Sequence, residues 1–387
     1  MFKRRLKMDI PPGQSAFLWG ARQTGKSTFL SGQFPHSIRY DLLKSDLYLS
    51  LLKEPYRLRE ELLQKEKGTD NPIIIDEVQK VPLLLDEVHW LIENKKFSFI
   101  LCGSSARKLK RGKANLLGGR AWRFEMHPLV YPEVPAFDLL RAFNHGLIPS
   151  HYLSSFPQKS LKAYVTDYLT EEIKAEGLSR NLASFAKFLD AASFSHGQLV
   201  QYKNIASDCG VDAKTVREYF EILQDTYIGA FLQPLARKKD RKTISATPKF
   251  YFCDPGIANF LSKTPVNQLK GTQAGVSFEG YLLHELRAYR SYSGKDFELN
   301  YWRTKTGHEV DFIINRNQVY IEAKITDNLK ISDIKGLRTL LSEHPCGQAF
   351  VVCLEKRARL FTTPEGHKIN LLPWFVFLEK LWDGSIV

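Results

Sequence analysis

The most specific chemistry in this chain lies in residues 20–28, where two glycines, a lysine and hydroxyl side chains follow an apolar run. These residues read Gly-Ala-Arg-Gln-Thr-Gly-Lys-Ser-Thr. The spacing G-x-x-x-x-G-K-[S/T] is typical of a loop whose backbone N–H groups hold polyphosphate at a helix N-terminus, with the lysine on the β- and γ-phosphates and the first hydroxyl on Mg²⁺. The predicted nucleotide-binding residues are Gly20, Gln23, Thr24, Gly25, Lys26, Ser27 and Thr28.

A second group of reactive residues closes the apolar run at residues 72–77, which read Pro-Ile-Ile-Ile-Asp-Glu. A β-branched run that ends in two acids is the Walker B pattern of nucleotide hydrolases. Asp76 would hold Mg²⁺ and Glu77 would orient the attacking water, so the two carboxylates have different roles. An ordinary strand and loop can show the same pattern, and it is the phosphate-binding loop upstream that favours hydrolysis.

Two further groups could act on the transferred phosphate. Residues 97–105 form an apolar run that ends in Gly-Ser-Ser, and ligands collect at the carboxyl ends of strands in open α/β sheets. Ser104 or Ser105 is therefore a candidate phosphate sensor, and the alternative is a cap for a helix that starts at Ala106. Arg120 follows a Leu-Gly-Gly turn and could reach the γ-phosphate of a neighbouring subunit, or be an ordinary surface arginine.

Acidic residues and a lysine recur with strand spacing near the C-terminus. Glu279 lies at the start of a predicted amphipathic helix over 278–286, Asp311 lies in a predicted strand, and Glu322 and Lys324 lie in the next. Alternation places Glu322 and Lys324 on one face, where the three carboxylates could hold Mg²⁺ or Mn²⁺ and the lysine could polarise water. The pattern predicts a metal-dependent nuclease fold. Such residues also meet by accident, or persist after activity is lost.

Residues 199–235 resemble a winged helix-turn-helix. Helices are predicted over 202–209 and 213–223, with a turn at Gly210, and the basic run 237–242 is placed as a hairpin wing that touches phosphates. Such modules bind DNA, and they also serve as protein–protein contacts. The residues predicted to face a DNA groove are Lys214, Thr215, Arg217 and Glu218.

Length and charge limit the class of protein. The chain has 387 residues and a formal net charge of +13, which favours a polyanionic partner, with nucleic acid ahead of a membrane surface. No run approaches the roughly 18 apolar residues of a membrane-spanning helix, and the basic N-terminus lacks the apolar core of a signal peptide. The five scattered cysteines indicate buried thiols, so we expect a cytoplasmic protein.

Shifts in pattern divide the chain into four predicted regions. Alternating strand-like and helical runs predict an α/β domain with a parallel sheet in the first region, and helical spacing over 161–189 predicts a lid or connector. The predicted regions are a nucleotide-binding core at 1–150, the lid at 151–195, the winged helix-turn-helix at 196–250 and a nuclease-like α/β domain at 251–387.

Taken in order, these motifs resemble a large prokaryotic family of AAA-superfamily P-loop ATPases whose C-terminal domain is similar to PD-(D/E)xK nucleases. The order is the P-loop, Ile-Ile-Ile-Asp-Glu-Val-Gln, Gly-Ser-Ser, Leu-Gly-Gly-Arg, the winged helix, Phe-Tyr-Phe-Cys-Asp-Pro-Gly, Phe-Glu-Gly, and Glu-Val-Asp-Phe-Ile with Ile-Glu-Ala-Lys. The resemblance covers nearly the whole chain. It implies ATP as the nucleotide, Ser104 as sensor, Arg120 as arginine finger, and a nuclease-like set of Glu279, Asp311, Glu322 and Lys324.

Two functions from different classes follow from these motifs. The first is an ATP-driven enzyme that processes DNA, with DNA cleavage as an additional activity. The second is a nucleotide-gated switch or scaffold whose nuclease-like domain binds nucleic acid or protein without cutting. Both predict a homo-oligomer, and a closed ring is one form it could take, because an arginine finger acts across a subunit boundary.

Overall fold

The computed structural model describes residues 2–64, 71–105, 107, 109, 117–168, 182–235 and 247–387. The chain divides into two compact units. Unit 1 comprises Met1–Leu129 with Asp225–Ile228, and unit 2 comprises Val130–Gln224 with Gly229–Val387. Each unit is built on its own β-sheet. No helix in the described part of the chain is long and apolar enough to cross a membrane.

The sheet of unit 1 is parallel, and its strands are continuous apolar runs. Such runs are expected where both faces of a parallel sheet are covered, and every residue of the first and fourth strands is buried. The strand order is β2-β3-β4-β1-β5, with all neighbours parallel. The strands are β1 (Ser15–Trp19), β2 (Arg39–Asp41), β3 (Ile73–Asp76), β4 (Phe99–Gly103) and β5 (Ala121–Glu125).

Apolar residues spaced three and four apart bury one face of the helices of unit 1. In α3 the buried pair is Leu58 and Leu62, and both pack into the same core as Phe17, Ile75 and Leu101 of the sheet. The core therefore fixes the strands whose ends carry the predicted site. The helices are α1 (Lys26–Gln33), α2 (Ser45–Lys53), α3 (Arg57–Gln64) and α4 (Leu84–Lys95).

The first half of unit 2 is helical, as the spacing predicts. A short π-helical segment, Tyr164–Tyr168, directly follows the third of its helices. Part of the predicted lid, including Leu169 and Ile173, falls outside the described residues. The helices are α5 (Leu139–His145), α6 (Pro149–Leu153), α7 (Pro157–Ala163), α8 (Leu182–Phe194), α9 (Tyr202–Cys209) and α10 (Ala213–Asp225).

Helices α9 and α10 are joined by the predicted turn. Gly210 has a φ of 66°, the left-handed conformation that ends α9. The Asp212 carboxylate then accepts a hydrogen bond from the Thr215 N–H at 2.7 Å and caps α10. Val216 and Phe220 of α10 are buried. The two helices agree with the prediction, whereas the winged helix remains a prediction because its basic run, 237–242, lies outside the described residues.

The sheet of unit 2 joins the middle of the chain to its C-terminal part. Its order is β13-β14-β12-β11-β10-β9-β7-β8-β6, and the parallel pairing of Gln233 with Asn300 links β7 to β9. The strands predicted to flank the wing thus continue the C-terminal sheet. The strands are β6 (Gln198–Leu199), β7 (Gly229–Pro234), β8 (Lys249–Phe252), β9 (Leu299–Arg303), β10 (Glu309–Ile314), β11 (Val319–Ala323), β12 (Gln348–Cys353), β13 (Arg359–Thr362) and β14 (Lys368–Pro373).

Four helices pack in the C-terminal part of unit 2. The pattern over 278–286 predicts a helix that starts near Glu279, but the longest of these helices begins at Gly271, so Glu279 lies within it. That prediction was wrong because residues 271–277 contain two glycines and carry no strong helix signal of their own. The predicted boundaries at 150, 195 and 250 stay predictions. The helices are α11 (Pro255–Leu261), α12 (Gly271–Ser293), α13 (Lys335–Glu343) and α14 (Trp374–Trp382).

Candidate nucleotide site and carboxylate cluster

The P-loop begins where β1 ends and closes at the first residue of α1. Gly20 passes so close to its neighbour that a Cβ there would lie 2.3 Å from the Met126 carbonyl oxygen, so no larger residue fits. Gly25 has a φ of 93° and is the N-cap of α1. The first turn of α1 carries no acidic residue. Its exposed N–H groups and positive dipole end therefore favour an anion.

Lys26 and Thr24 hold the inside of the loop. Lys26 Nζ donates to the carbonyl oxygens of Gly20 at 2.8 Å and Ala21 at 2.9 Å. Thr24 Oγ1 donates to the Ala21 carbonyl oxygen at 2.8 Å, and both side chains are buried. Neutral carbonyl groups therefore hold the ammonium, and phosphate oxygens would be stronger, charge-assisted partners for it.

Ser27 and Asp76 meet at the carboxyl edge of the sheet. Ser27 Oγ donates to Asp76 Oδ2 at 2.6 Å and so joins α1 to the end of β3. A hydroxyl and a carboxylate are the hard oxygen donors that Mg²⁺ prefers, so this pair fits the predicted ion. Ser27 is exposed, as are the predicted nucleotide-binding residues Gln23 and Thr28.

Glu77 belongs to a polar network that includes Ser104, whereas Ser105 makes a different contact. Its carboxylate oxygen Oε2 accepts from Gln79 Nε2 and lies 3.4 Å from Ser104 Oγ, while Gln79 Nε2 also donates to Ser104 Oγ at 3.0 Å. Ser105 differs, because its Oγ accepts from the backbone N–H of Arg107 at 3.2 Å. Ser104 therefore contacts Glu77, and Ser105 makes the capping contact that was the alternative.

Gln79 is part of this network, and the sequence analysis did not identify it. It is buried, and a Cβ on Gly103 would lie 2.3 Å from its Oε1, so the glycine makes room for the amide. A polar residue between Val78 and Val81, both buried, is the signal that could have indicated it. The adjacent Cys102 is buried as well, and burial together with the Asp76 carboxylate raises the pKa of its thiol well above the usual range.

Arg120 lies at the opposite edge of the same sheet. It precedes β5, whose first residue, Ala121, pairs with Ser15 at the start of β1, whereas the P-loop follows the end of β1. Its guanidinium forms an ion pair with Glu93 near the end of α4. Arg120 is therefore away from the nucleotide site of its own chain. Only a site on a second chain remains for the predicted finger.

A group of carboxylates in unit 2 differs from the predicted one in its membership. Ligand oxygens of Glu279, Glu309 and Asp311 all lie within 4.8 Å of one another. Glu309 thus takes the place that the sequence analysis gave to Glu322. The spacing of Glu309 and Asp311 on β10 could have indicated this, because residues two apart on a strand share a face. We call these three residues the carboxylate cluster.

A buried lysine that the sequence analysis missed lies against the carboxylate cluster. Lys249 Nζ of β8 bonds Glu279 Oε1 at 2.8 Å and also contacts a Glu309 carboxylate oxygen. Burial alone would lower the pKa of this ammonium, but Glu279 and its neighbours outweigh burial and raise it. Tyr251, also on β8, donates its hydroxyl to Glu279. A divalent ion in the cluster would therefore have to share or displace the lysine.

Glu322 and Lys324 form a second ion pair next to the cluster. Lys324 Nζ lies 2.7 Å from Glu322 Oε1, and the Ala323 N–H donates to Asp311 Oδ2 at 2.8 Å. Burial, followed by the charge of Glu322, raises the pKa of Asp311 well above its usual range. Burial raises the pKa of Glu322 as well. By donor type the carboxylates fit a hard cation, but their charge is already partly neutralised by lysines.

Three regions of the chain match known domain families. Residues 13–134 match the AAA domain family, and residues 137–268 and 274–374 match two domains of unknown function, DUF8612 and DUF4143. The uncharacterized protein MJ1544 of Methanocaldococcus jannaschii is 20% identical over 377 residues, which cover 89% of this chain and 82% of that protein.

Two solved structures are also similar in part. One is the Walker-type ATPase PABY2304 of Pyrococcus abyssi, with a TM-score of 0.42 and 13% identity over 65% of this chain and 91% of that one. The other is the ORC1 protein of Aeropyrum pernix in complex with DNA, with a TM-score of 0.28 and 14% identity over 65% of this chain and 87% of that one.

The AAA domain match covers the residues that form the nucleotide site. The P-loop, Asp76, Glu77 and Ser104 all fall within residues 13–134, and the structure brings them to one edge of a parallel sheet. Residues 13–134 therefore carry the P-loop and the Asp76–Glu77 pair within the region that matches the AAA domain family.

Proposed function

We propose that the protein is a Mg²⁺-dependent ATPase that processes DNA. The observation that supports hydrolysis is the meeting of Ser27 with Asp76 at 2.6 Å, with the Glu77 carboxylate on the next residue. Metal donors and a water-orienting acid then stand beside a loop that is formed to hold phosphates. ATP is the nucleotide that the AAA domain implies.

The proposal gives the groups of the site defined tasks. The N–H groups at the start of α1 and the Lys26 ammonium hold the β- and γ-phosphates. Ser27 and Asp76 hold Mg²⁺, which neutralises phosphate charge when it is bound. Glu77 orients the attacking water, and Ser104 supports the Glu77 carboxylate and senses the γ-phosphate.

Two variants test the hydrolysis. Lys26→Ala should lose ATP binding, because it removes the positive charge from the loop. Glu77→Gln should bind ATP normally and turn over at least about 100-fold more slowly, because it removes the carboxylate that orients the attacking water. Lys53→Ala, an exposed lysine on α2, is the matched control. Wild-type turnover in Glu77→Gln would contradict the role of Glu77.

DNA is the proposed partner because the chain carries a net charge of +13 and exposes basic side chains on α10. Lys214 and Arg217 are both exposed, and Arg217 lies 5.1 Å above the Tyr202 ring. Binding of this kind is mainly electrostatic, so log affinity should fall steeply with log salt. The Lys214→Ala, Arg217→Ala double variant should reduce that slope by about two, whereas the exposed Lys335→Ala should leave it unchanged.

Metal-dependent DNA cleavage by unit 2 is a second candidate function. It is supported by the carboxylate cluster with the Glu322–Lys324 pair beside it. Asp311→Ala, Glu322→Ala and Lys324→Ala should each abolish cleavage in Mg²⁺ or Mn²⁺ and leave ATP hydrolysis intact. If the wild-type protein cuts neither single-stranded, duplex nor branched DNA, the nucleotide-gated switch is the function that remains.

We further propose that the protein acts as a homo-oligomer in the reducing cytosol. Arg120 lies at the edge of the sheet opposite the P-loop of its own chain, so its proposed finger role requires a neighbouring chain. All five cysteines are free thiols, which suits a reducing compartment. Light scattering during turnover tests the assembly. A monomer with full ATPase activity would exclude the finger role.

A further inference from the structure

The N-terminal segment, residues 2–8, packs against the P-loop in unit 1. Leu6 and Met8 are buried, with 4% and 1% of their surface exposed. Gln33 at the end of α1 donates its side-chain amide to the Met8 carbonyl oxygen at 3.1 Å. These contacts fix the segment beside the helix that carries the loop. They also determine where Arg4, two residues before Leu6, can reach.

Arg4 bridges the loop to the chain that follows β5. Its NH1 donates to the Thr24 carbonyl oxygen at 2.6 Å, and its NH2 donates to the His127 carbonyl oxygen at 2.5 Å and to that of Pro128 at 3.4 Å. Two nitrogens of one planar guanidinium thus connect the phosphate-binding loop to residues about one hundred positions away. Lysine, with a single nitrogen, does not reproduce such a fork.

The bond to Thr24 fixes the direction of the next N–H group. A trans peptide unit is planar, and its C=O and N–H point in opposite directions. When Arg4 holds the Thr24 carbonyl, the Gly25 N–H must point away from Arg4. Gly25 can rotate freely because it has no Cβ, and its φ of 93° lies in the left-handed region. The cationic donor also polarises the peptide and strengthens the Gly25 N–H as a donor.

We propose that Arg4 is a positioning residue for phosphate binding, which acts by orienting the Thr24–Gly25 peptide of the P-loop. This inference rests on the proposed ATPase function. It makes the N-terminal segment part of the nucleotide site, although residues 2–8 lie outside the region matched by the AAA domain family. ATP and ADP should both depend on Arg4, because both carry the phosphates that the loop N–H groups hold.

The test compares three single variants with wild type in the full-length protein. Kd for ATP and ADP is measured by calorimetry, together with kcat, KM and the thermal midpoint of the nucleotide-free protein. Arg4→Ala should weaken ATP and ADP binding about 10- to 100-fold, raise KM similarly, and change kcat at saturating ATP less than about threefold. Arg4→Lys should recover only part of the affinity. The exposed Lys7→Ala should match wild type.

The outcomes separate a positioning role from simple packing. Leu6→Ala removes one of the two buried apolar side chains of the segment and keeps the Arg4 guanidinium. Met8 and the bond that it accepts from Gln33 still hold the segment, so Leu6→Ala should lower the thermal midpoint more than it weakens ATP binding. Arg4→Ala should show the reverse. Wild-type ATP affinity in Arg4→Ala, or an equal loss of affinity and midpoint in Arg4→Ala and Leu6→Ala, would overturn the proposal. If wild-type protein binds no ATP, or Lys26→Ala binds it normally, the ATPase function itself fails.

Discussion

The nucleotide site of unit 1 and the carboxylate cluster of unit 2 handle charge in opposite ways. At the nucleotide site Lys26 bonds neutral carbonyl oxygens, and the Ser27 hydroxyl that meets Asp76 is exposed. In the carboxylate cluster Lys249 already bonds Glu279 and Glu309. The first site is prepared for charged ligands, whereas the second has most of its charge balanced by the folded chain.

The partners of the buried charges are the physical reason for this difference. Lys26 is buried, but its ammonium is held by neutral carbonyl oxygens, so its charge stays available to a phosphate. A buried carboxylate must be paired or protonated, because desolvation penalises its charged form. Asp311 and Glu322 are buried, and both show the raised pKa that burial causes. A metal ion in the carboxylate cluster would therefore have to compete with Lys249.

The largest expected effect tests whether unit 1 is completed by a second chain. Arg120→Ala should lower kcat about 1,000-fold and leave ATP affinity nearly unchanged, because a finger acts on transition-state charge. Turnover per chain of the wild type should rise with protein concentration and that of the variant should not. Unchanged kcat in the variant would make the Arg120–Glu93 ion pair a surface contact only.

Substitution of Lys249 tests whether the carboxylate cluster of unit 2 is balanced by its own lysine. Lys249→Met removes the ammonium from Glu279 and Glu309, while Glu309 keeps its ion pair with Arg303 and Glu279 keeps the Tyr251 hydroxyl. The loss of one member of a buried ion pair costs about 3 to 5 kcal/mol of unfolding free energy, and these remaining contacts favour the lower end of that range. Millimolar Mn²⁺ should then raise the thermal midpoint of the variant more than that of wild type, because an ion that binds the native state stabilises it. Lys335→Met, on an exposed site, is the control.

Two results would show whether Lys249 balances the carboxylates of the cluster and competes there with a metal ion. The double variant Lys249→Met, Glu309→Gln should be more stable than Lys249→Met alone, since it removes one carboxylate with the ammonium. If Mn²⁺ stabilises the wild type and Lys249→Met equally, Lys249 does not compete with metal. The cluster would then be an ordinary divalent site, and the cleavage function would gain support.

Glu285 is a second kind of buried carboxylate in unit 2. It bonds N–H groups, and no lysine among the described residues forms an ion pair with it. Its oxygens accept from the Tyr131 N–H at 2.7 Å and from Trp382 Nε1 at 2.8 Å. Burial raises its pKa from 4.5 to about 7. The folded state therefore holds the proton to higher pH than the unfolded state, so stability should fall as pH rises from about 4.5 to about 7 and then level off.

The size of this effect is about 3 kcal/mol of unfolding free energy at most. Chemical denaturation of wild type and Glu285→Gln between pH 5 and 8 measures it. The wild type should lose stability across this window and the variant should lose much less. Asp254, whose pKa burial raises to about 6, contributes equally to both proteins and cancels in the comparison. Parallel curves would show that Glu285 titrates normally.

The smallest expected effect concerns the support of Glu77. Gln79→Ala removes the amide that bonds both Glu77 and Ser104, and should lower kcat about tenfold, the loss of one charge-assisted hydrogen bond. ATP affinity should stay within about twofold. An unchanged kcat would mean that Glu77 needs no support from this amide, and a lost affinity would move Gln79 into nucleotide binding.

The local patterns of unit 1 were sufficient to predict the strands and the helix that carry its candidate site. The apolar runs over 72–77 and 97–105 contain β3 and β4. The two glycines of the motif, Gly20 and Gly25, lie in the loop before α1. These residues are close in sequence to the elements that carry them, so a short pattern describes each one. The winged helix and the nuclease-like fold remain predictions, and the boundaries drawn between them cross one continuous sheet.

The sequence by itself determined the P-loop, the two Walker B acids and the helix pair around Gly210, because each is a contiguous pattern in which neighbours along the chain fix the geometry. The tertiary structure alone decided which charges balance which. Lys249 reaches Glu279 and Glu309 only because β8, α12 and β10 converge in unit 2. Arg4 reaches Thr24 only because Leu6 and Met8 are buried. Such pairings depend on packing between distant elements, and spacing along the chain does not encode them.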